Sequence, residues 1–427
     1  MTDTQSILSA AAELLGKQDY DGALACFDRL ESAVAASSEM RLLKASVLSS
    51  AGRIAEARGI VEGIITGEPD NTEALFVLST LESAGGKDRE QKATLERLIT
   101  INPNHVQALS ALGDISLRSK SLKAAAEYFD RVLALEPDNG DALIGRAGVY
   151  RYQRKPKEAE TLLNKAVARY PQWTRPLTER ARLYQGAGFY EDALRDLDKA
   201  EKLNGDDYWI AVDRGIVLTD LHRKKEALPE FNRAIAMDPT VFLAYVYSAG
   251  IKDEFGDYEG AEHDYGMLAK LKPEYYFAFE GLGLQKMRKK RWAEARDAFL
   301  EVYKRAPETN YALLASLCWM RAGRMADPKT FLETALKKAT RDTTEWYILR
   351  LYHDLSGDSD VAMRIDKETN PVLKAQMLYY LASYYDVRGN TNLANRYYAQ
   401  VDEMGQRAIL EWRLNQSVMK ERNLKIN

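Results

Sequence analysis

The hydrophobic pattern of this chain repeats with a step of 34 residues over most of its length. Each period holds two stretches of helical spacing separated by a short polar turn, which predicts a pair of antiparallel helices. A small residue recurs in the first stretch, at Ala11, Ala45, Ser79, Gly113, Ala147, Ala181, Gly215, Ala249 and Gly283. Another recurs in the second, at Ala23, Ala57, Ala125, Ala159, Ala193, Ala227, Ala261 and Ala295, with Gln91 as the exception. Four residues later comes a large apolar side chain, from Phe27 and Val61 through Phe129 to Phe231, Tyr265 and Phe299. Small residues let two helices approach closely, and the bulky one fills the gap against the neighbour. Pro69, Pro103, Pro137, Pro171, Pro239, Pro273 and Pro307 keep the same step, with Gly205 where one is missing. Proline has no N–H to continue a helix, so it resets the chain between pairs.

Leu112 and Gly113, Tyr184 with Gly188 and Tyr190, Ala193, Phe231, Ala234 and Pro239 carry a resemblance to the tetratricopeptide repeat. It runs over residues 4 to 309 as nine units in one register. A plain helical bundle would show the 3.6-residue period without the longer step. The resemblance implies an all-α fold, a right-handed superhelical solenoid of antiparallel helix pairs with about 11 to 12 units. The expected organisation is a regular array over 1–309, degenerate helical repeats over 310–374, and a final unit plus a capping helix over 375–427. Beyond Pro307 the register loosens: Arg341 stands where a proline is due, and Asp327-Pro328 restarts a helix late. Leu381, Ala382, Tyr385, Gly389, Ala394 and Tyr398 restore a unit, and an amphipathic stretch from Ile409 to about Arg422 is expected to cap the end. The block from Tyr311 to Asn415, through Trp346 to Tyr352, Leu378 to Tyr385 and Glu411 to Leu414, is also similar to NlpI-type envelope lipoproteins. That likeness implies an envelope adaptor for proteases or cell-wall hydrolases. The lipid-bearing cysteine near the start is missing, since Cys26 lies within a repeat helix.

Composition narrows the function classes. With 60 basic and 63 acidic residues the net charge is −3, and a dedicated nucleic-acid binder would carry a basic excess. No nucleic-acid partner is therefore expected. Cys26 and Cys318 lie many repeats apart in a fold that contacts only neighbours, so they read as buried small hydrophobes rather than a disulfide. No stretch approaches the length of apolar sequence that spans a bilayer. The first residues, Met1 to Gln5, lack a basic and an apolar segment, so the cytoplasm is the default expectation, with the periplasm the alternative for a processed chain.

No catalytic or cofactor chemistry is expected. His105, His222, His263 and His353 occur singly, without partners at metal-ligand spacing, and Gly283 and its relatives lack a following Gly-Lys-Ser/Thr. Function is therefore expected on the surface, as a scaffold for a protein or peptide partner. The family resemblance places the first helices along a concave groove. Its middle would show Arg151 and Tyr152; Arg175, Glu179, Arg182 and Gln185; Trp209 and Asp213; Tyr247 and Asp253; Phe277 and Glu280. Arginine and exposed aromatic side chains dominate binding energy at interfaces. The lysine–asparagine clamp of chaperone-tail receptors fails, since its places hold Ser110 and Asp114, Ile144 and Gly148, Thr178 and Arg182.

Three further features stand out. Arg146, Arg180 and Arg214 stand one repeat apart where leucine is usual, and pairing with neighbouring acids such as Glu179 and Asp213 is the expected account. Basic turns at Arg154-Lys155, His222 to Lys225 and Lys286 to Arg291 alternate along the array. Aromatic residues crowd into the chain from Tyr150 onward, and the tyrosine-rich end, with Tyr379, Tyr380, Tyr384 and Tyr385, is a candidate surface for a homo-oligomer.

Overall fold

The computed structural model describes residues 2–30 and 32–424. Among them the chain is helical with no strands, laid out as successive helix pairs. Contacts divide it into two compact units, residues 1–205 and 206–427. The break falls beside Gly205, the one place between Pro69 and Pro307 where the proline step is interrupted. No described helix is long and apolar enough to cross a membrane.

The first unit runs from Thr2–Gly16 to Tyr190–Leu203 as six pairs, the second of which is preceded by the short Ser32–Ala35. Gly113 shows why the small positions matter. A Cβ there would stand 2.6 Å from the Phe129 ring, and the Gly145 backbone closes on the same ring from the next pair. Phe129 is fully buried between them. The proline positions have a second use. Arg97, Arg131 and Lys165, one repeat apart on second helices, donate to the carbonyl oxygens of Pro69, Pro103 and Pro137. Each orphan carbonyl between repeats thereby gains a charged donor.

The turn inside each pair needs a left-handed residue. Gly52, Gly86, Lys120, Arg154, Gly188, His222, Gly256 and Lys290 all have positive φ at the 34-residue step. Glycine adopts this freely, while a side chain costs about 1–2 kcal/mol. The residues of the basic turns thus sit at strained positions wherever glycine is absent. The next such residue is Gly323 rather than residue 324, so the register slips by one there.

The second unit opens with three regular pairs, from Tyr208–Asp220 to Trp292–Arg305. Phe231 and Phe299 repeat the packing on Gly215 and Gly283. Irregular pairs follow: Thr309–Arg321 with Lys329–Lys338, Thr344–Asp354 with Asp358–Lys367, and Pro371–Val387 with Thr391–Glu403. The tyrosine-rich end corrects an expectation. Tyr379 and Tyr380 are fully buried, and Tyr384 and Tyr385 nearly so. Tyr384 donates to Leu355 O (2.9 Å), Tyr385 to Asp358 (2.7 Å), and Tyr352 reaches Tyr380 O (2.8 Å). These rings fill the unit's own core and satisfy its backbone, so they offer no surface for a second chain. Cys26 and Cys318 are buried free thiols, as the repeat spacing required.

Leu410–Glu421 ends the chain in an unexpected place. It packs against Pro371–Val387 and Thr391–Glu403, and also against Tyr276–Arg288, a first helix far back in the sequence. Leu410, Leu414 and Met419 supply its buried side. It does more than cap the last pair: it lies along the first helices of its unit.

Candidate functional site

In the first unit the concave positions come from Val106–Arg118, Gly140–Tyr152 and Thr174–Gly186. Arg151 and Tyr152 end their helix exposed, Tyr152 at 49%, with the guanidinium 5.8 Å from the ring centroid. Arg175 is committed to Asp141 one repeat earlier (2.5 Å), and Arg182 to Glu179 (2.8 Å). Sequence reasoning did not single out Asp141 or Asp114 as part of this surface. Burial pushes the Asp114 carboxyl above its usual range; Arg175 opposes the shift and Asp141 adds to it. Both aspartates occupy the same repeat positions as Arg175 and Arg182, so the register could have found them. Between Arg151 and Glu179 the floor of Ile144, Gly148 and Leu183 leaves only about 10 Å³, the space of a single water. This face is shallow, mixed in charge, and carries one exposed cation–aromatic pair.

The arginine ladder is structural. Arg146 pairs with Asp130 (2.7 Å), Arg180 with Asp196 (2.6 Å) and, in the second unit, Arg214 with Glu230 (3.2 Å). These acids stand on second helices, sixteen positions away, and Glu179, an expected partner of the ladder, pairs with Arg182. The basic turns are likewise engaged: Lys224 holds Glu254, and Lys286, Lys289 and Arg291 gather on Glu262, whose carboxyl they draw down to about 2 against the cost of burial.

In the second unit the candidates separate by burial. Trp209 (45% exposed) and Phe277 (47%) stand out from their helices, each against a neighbouring tyrosine. Asp213 is half-buried. Tyr247 is half-buried too, its ring stacked on Phe231 at 5.0 Å. Asp253 and Glu280 face the terminal helix. Asp253 is almost fully buried and receives the guanidiniums of Arg288 and of Arg413 from that helix, and Gln285 (2.8 Å). Ser417 meets Arg288 (3.3 Å) and Glu421 meets Lys290 (2.6 Å). At the other end Glu411, wholly buried, accepts from Tyr380 (2.6 Å) and Gln376 (3.2 Å). Arg422 pairs with Asp386, so the terminal helix runs in the same direction as Pro371–Val387. Burial raises the carboxyls of Glu411 and Glu280, the latter despite the Tyr311 hydroxyl donating to it at 2.5 Å. Arg413, Val246, Phe277 and Glu280 border a remaining hollow of about 250 Å³. Among the described residues no three His, Cys, Asp or Glu side chains converge as metal ligands.

Comparisons with known proteins agree with this architecture. Family models described as tetratricopeptide repeat match residues 8–74, 92–139 and 178–242, and residues 116–183. No curated protein matches significantly. Among solved structures, a tetratricopeptide repeat protein from Parabacteroides merdae is 19% identical, over 58% of this chain and 98% of its own, with a TM-score of 0.48. Human IFIT1, solved as a dimer with PPP-AAAA, is 18% identical over 93% of this chain and 89% of its own, with a TM-score of 0.50. YrrB, described as a TPR protein with an unusual peptide-binding site, is 17% identical over 43% and 95%, with a TM-score of 0.33. At such identities the likeness is one of fold. With the 34-residue register, the paired helices and the family matches in agreement, the chain belongs to the tetratricopeptide repeat family.

Proposed function

We propose that this chain is a non-enzymatic adaptor that holds an extended or helical segment of a partner protein on the concave faces of its repeats. The observation that carries the reading is the seat of Leu410–Glu421. In the second unit an amphipathic helix already lies on first-helix positions, through Leu414, through Arg413 on Asp253 and through Glu421 on Lys290. Apolar anchors at helical spacing framed by ion pairs are how grooves of this kind take a helix. The other concave positions supply the same vocabulary without an occupant from this chain. Arg151 and Tyr152 in the first unit, and Trp209 and Phe277 in the second, are its exposed anchors. Arg175, Arg182, Asp213 and Tyr247 flank them and set the groove's shape through their own contacts.

A polyanion is a poorer fit to these faces. IFIT1 was solved with PPP-AAAA, but at 18% identity that protein lends this chain its fold alone. Asp141 and Glu179 take up Arg175 and Arg182 on the concave surface of the first unit, where a nucleic-acid backbone needs continuous free cations.

The test is capture of partners by the wild type beside two variants, Arg151→Ala/Tyr152→Ala and Trp209→Ala/Phe277→Ala, each confirmed as folded by circular dichroism. These side chains are exposed, so their loss leaves the core intact. Truncating one anchor typically costs about 2 kcal/mol, or roughly thirtyfold in affinity. A protein held by the wild type and lost by one variant supports the reading and identifies the face. The same protein held equally by all three overturns it.

A further inference from the structure

The second unit holds a half-open cavity of about 640 Å³ beside the terminal helix. That is the size of a small-molecule site. One wall is apolar, with Met287, Leu414 and Val418, and Trp292 stands beside it. Six cations also line it, Arg288, Lys289, Lys290, Arg321, Lys420 and Arg422, with Asp386 and Glu421 as the acids among the lining residues.

The charge count around this cavity does not balance. Asp386 is shared by two guanidiniums, those of Arg321 (2.9 Å) and Arg422. Asp253 is shared in the same way by Arg288 and Arg413. Of these groups Arg288, Arg321, Arg422 and Asp386 line the cavity, while Asp253 and Arg413 stand outside it; Arg288 keeps 12% and Arg321 19% of its side-chain surface. Neighbouring polar groups, Gln285, Ser417, Asn395 and the Tyr398 hydroxyl, are neutral. Of the lysines, Lys289 meets Glu262 and Lys290 meets Glu421, whereas Lys420 is exposed on the last turn of the terminal helix. A half-buried excess of positive charge is costly unless an anion completes it. Arginine presents a planar fork that matches phosphate oxygens two at a time.

We infer that this cavity is a binding site for a nucleoside phosphate, whose phosphates meet Arg288, Arg321 and Arg422 and whose planar base lies along Trp292 and the apolar wall. The protein is close to neutral as a whole, so the excess is local to this hollow. It gives the Lys286–Arg291 segment a divided role: Lys286 and Arg291 hold Glu262, Arg288 and Lys290 face the cavity, and Lys289 lines the cavity while also meeting Glu262. Because the terminal helix forms one wall, a ligand bound here also fixes that helix in place. The site is separate from the exposed groove anchors, so its failure and theirs read out independently.

The experiment is titration of the full chain with ATP, followed by calorimetry and by the fluorescence of Trp292, taken as the difference between wild type and Trp292→Phe. Pyrophosphate and adenosine serve as half-ligand controls. Saturable binding of ATP tighter than either half, weakened about tenfold or more by Lys420→Gln/Arg422→Gln, is expected. Lys420→Gln alone, on an exposed side chain, should weaken binding and make its loss with salt shallower, so the result does not hinge on a variant that misfolds. A 5′-triphosphate oligonucleotide beside its 5′-hydroxyl counterpart distinguishes a free nucleotide from the end of a nucleic acid carrying the same group. No saturable signal with ATP, pyrophosphate or the oligonucleotide at low salt overturns the inference, and so does binding that both variants leave unchanged.

Discussion

Asp253→Ala is the sharpest test of how the terminal helix is held. The carboxylate keeps 3% of its side-chain surface and accepts from two guanidiniums and the Gln285 amide. Removing it strands Arg288, at 12%, and Arg413, at 33%. Breaking a buried pair costs about 3–5 kcal/mol, and the exposure of Arg413 argues for the lower end. A loss of about 3 kcal/mol is roughly a hundredfold in the opening equilibrium. Hydrogen exchange read by mass spectrometry over Leu410–Glu421 should therefore speed up about a hundredfold. Peptides from Gly140–Tyr152 in the first unit serve as the unchanged control. Arg413→Ala should cost far less, about 1 kcal/mol, because Asp253 retains Arg288 and Gln285. In the double variant the two losses should fall short of their sum, since both report one contact. Terminal-helix amides that exchange in Asp253→Ala as slowly as in the wild type would refute the reasoning.

Three other outcomes follow from the same contacts. Burial holds the Glu411 carboxyl above its ordinary range, so the folded chain keeps a proton that the unfolded chain releases. Stability should then fall as pH rises from the ordinary carboxylate pKa through the folded one, and Glu411→Gln, which keeps an acceptor for Tyr380, should flatten that fall and raise the Tm at neutral pH. Glu280 and Asp114, shifted the same way, contribute to the slope that remains. Burial lifts the Cys318 thiol to about 12, so a thiol reagent at pH 8 should leave it unmodified until denaturant is added. Arg154 holds positive φ without a side-chain partner, so Arg154→Gly should gain about 1 kcal/mol, seen as a higher Tm, whereas Gly188→Ala at the equivalent turn should lose a similar amount.

The sequence alone determined the repeat. Helix pairing is local, and its signals recur within each period: the small residues that admit Phe129 and Phe231, the prolines, and the turn positions at Gly188 and Arg154. Contacts between near neighbours must be written into near sequence, so a register carries them. It also carried the exposure of Arg151, Tyr152, Trp209 and Phe277, because a helix face is fixed by spacing. Tertiary structure decided what lies against what at long range. The Leu410–Glu421 stretch shows an apolar stripe, but a stripe does not say which helix will cover it, and Ser417 meets Arg288 across 129 residues. Tyrosine has both an apolar ring and a polar tip, so Tyr379 and Tyr380 read equally well as surface or core in the sequence; the fold buries both rings and gives the Tyr380 hydroxyl Glu411 as its partner. The balanced net charge likewise concealed a hollow lined by Arg288, Arg321 and Arg422, with Asp386 shared by two of them, because a sum over the chain discards position.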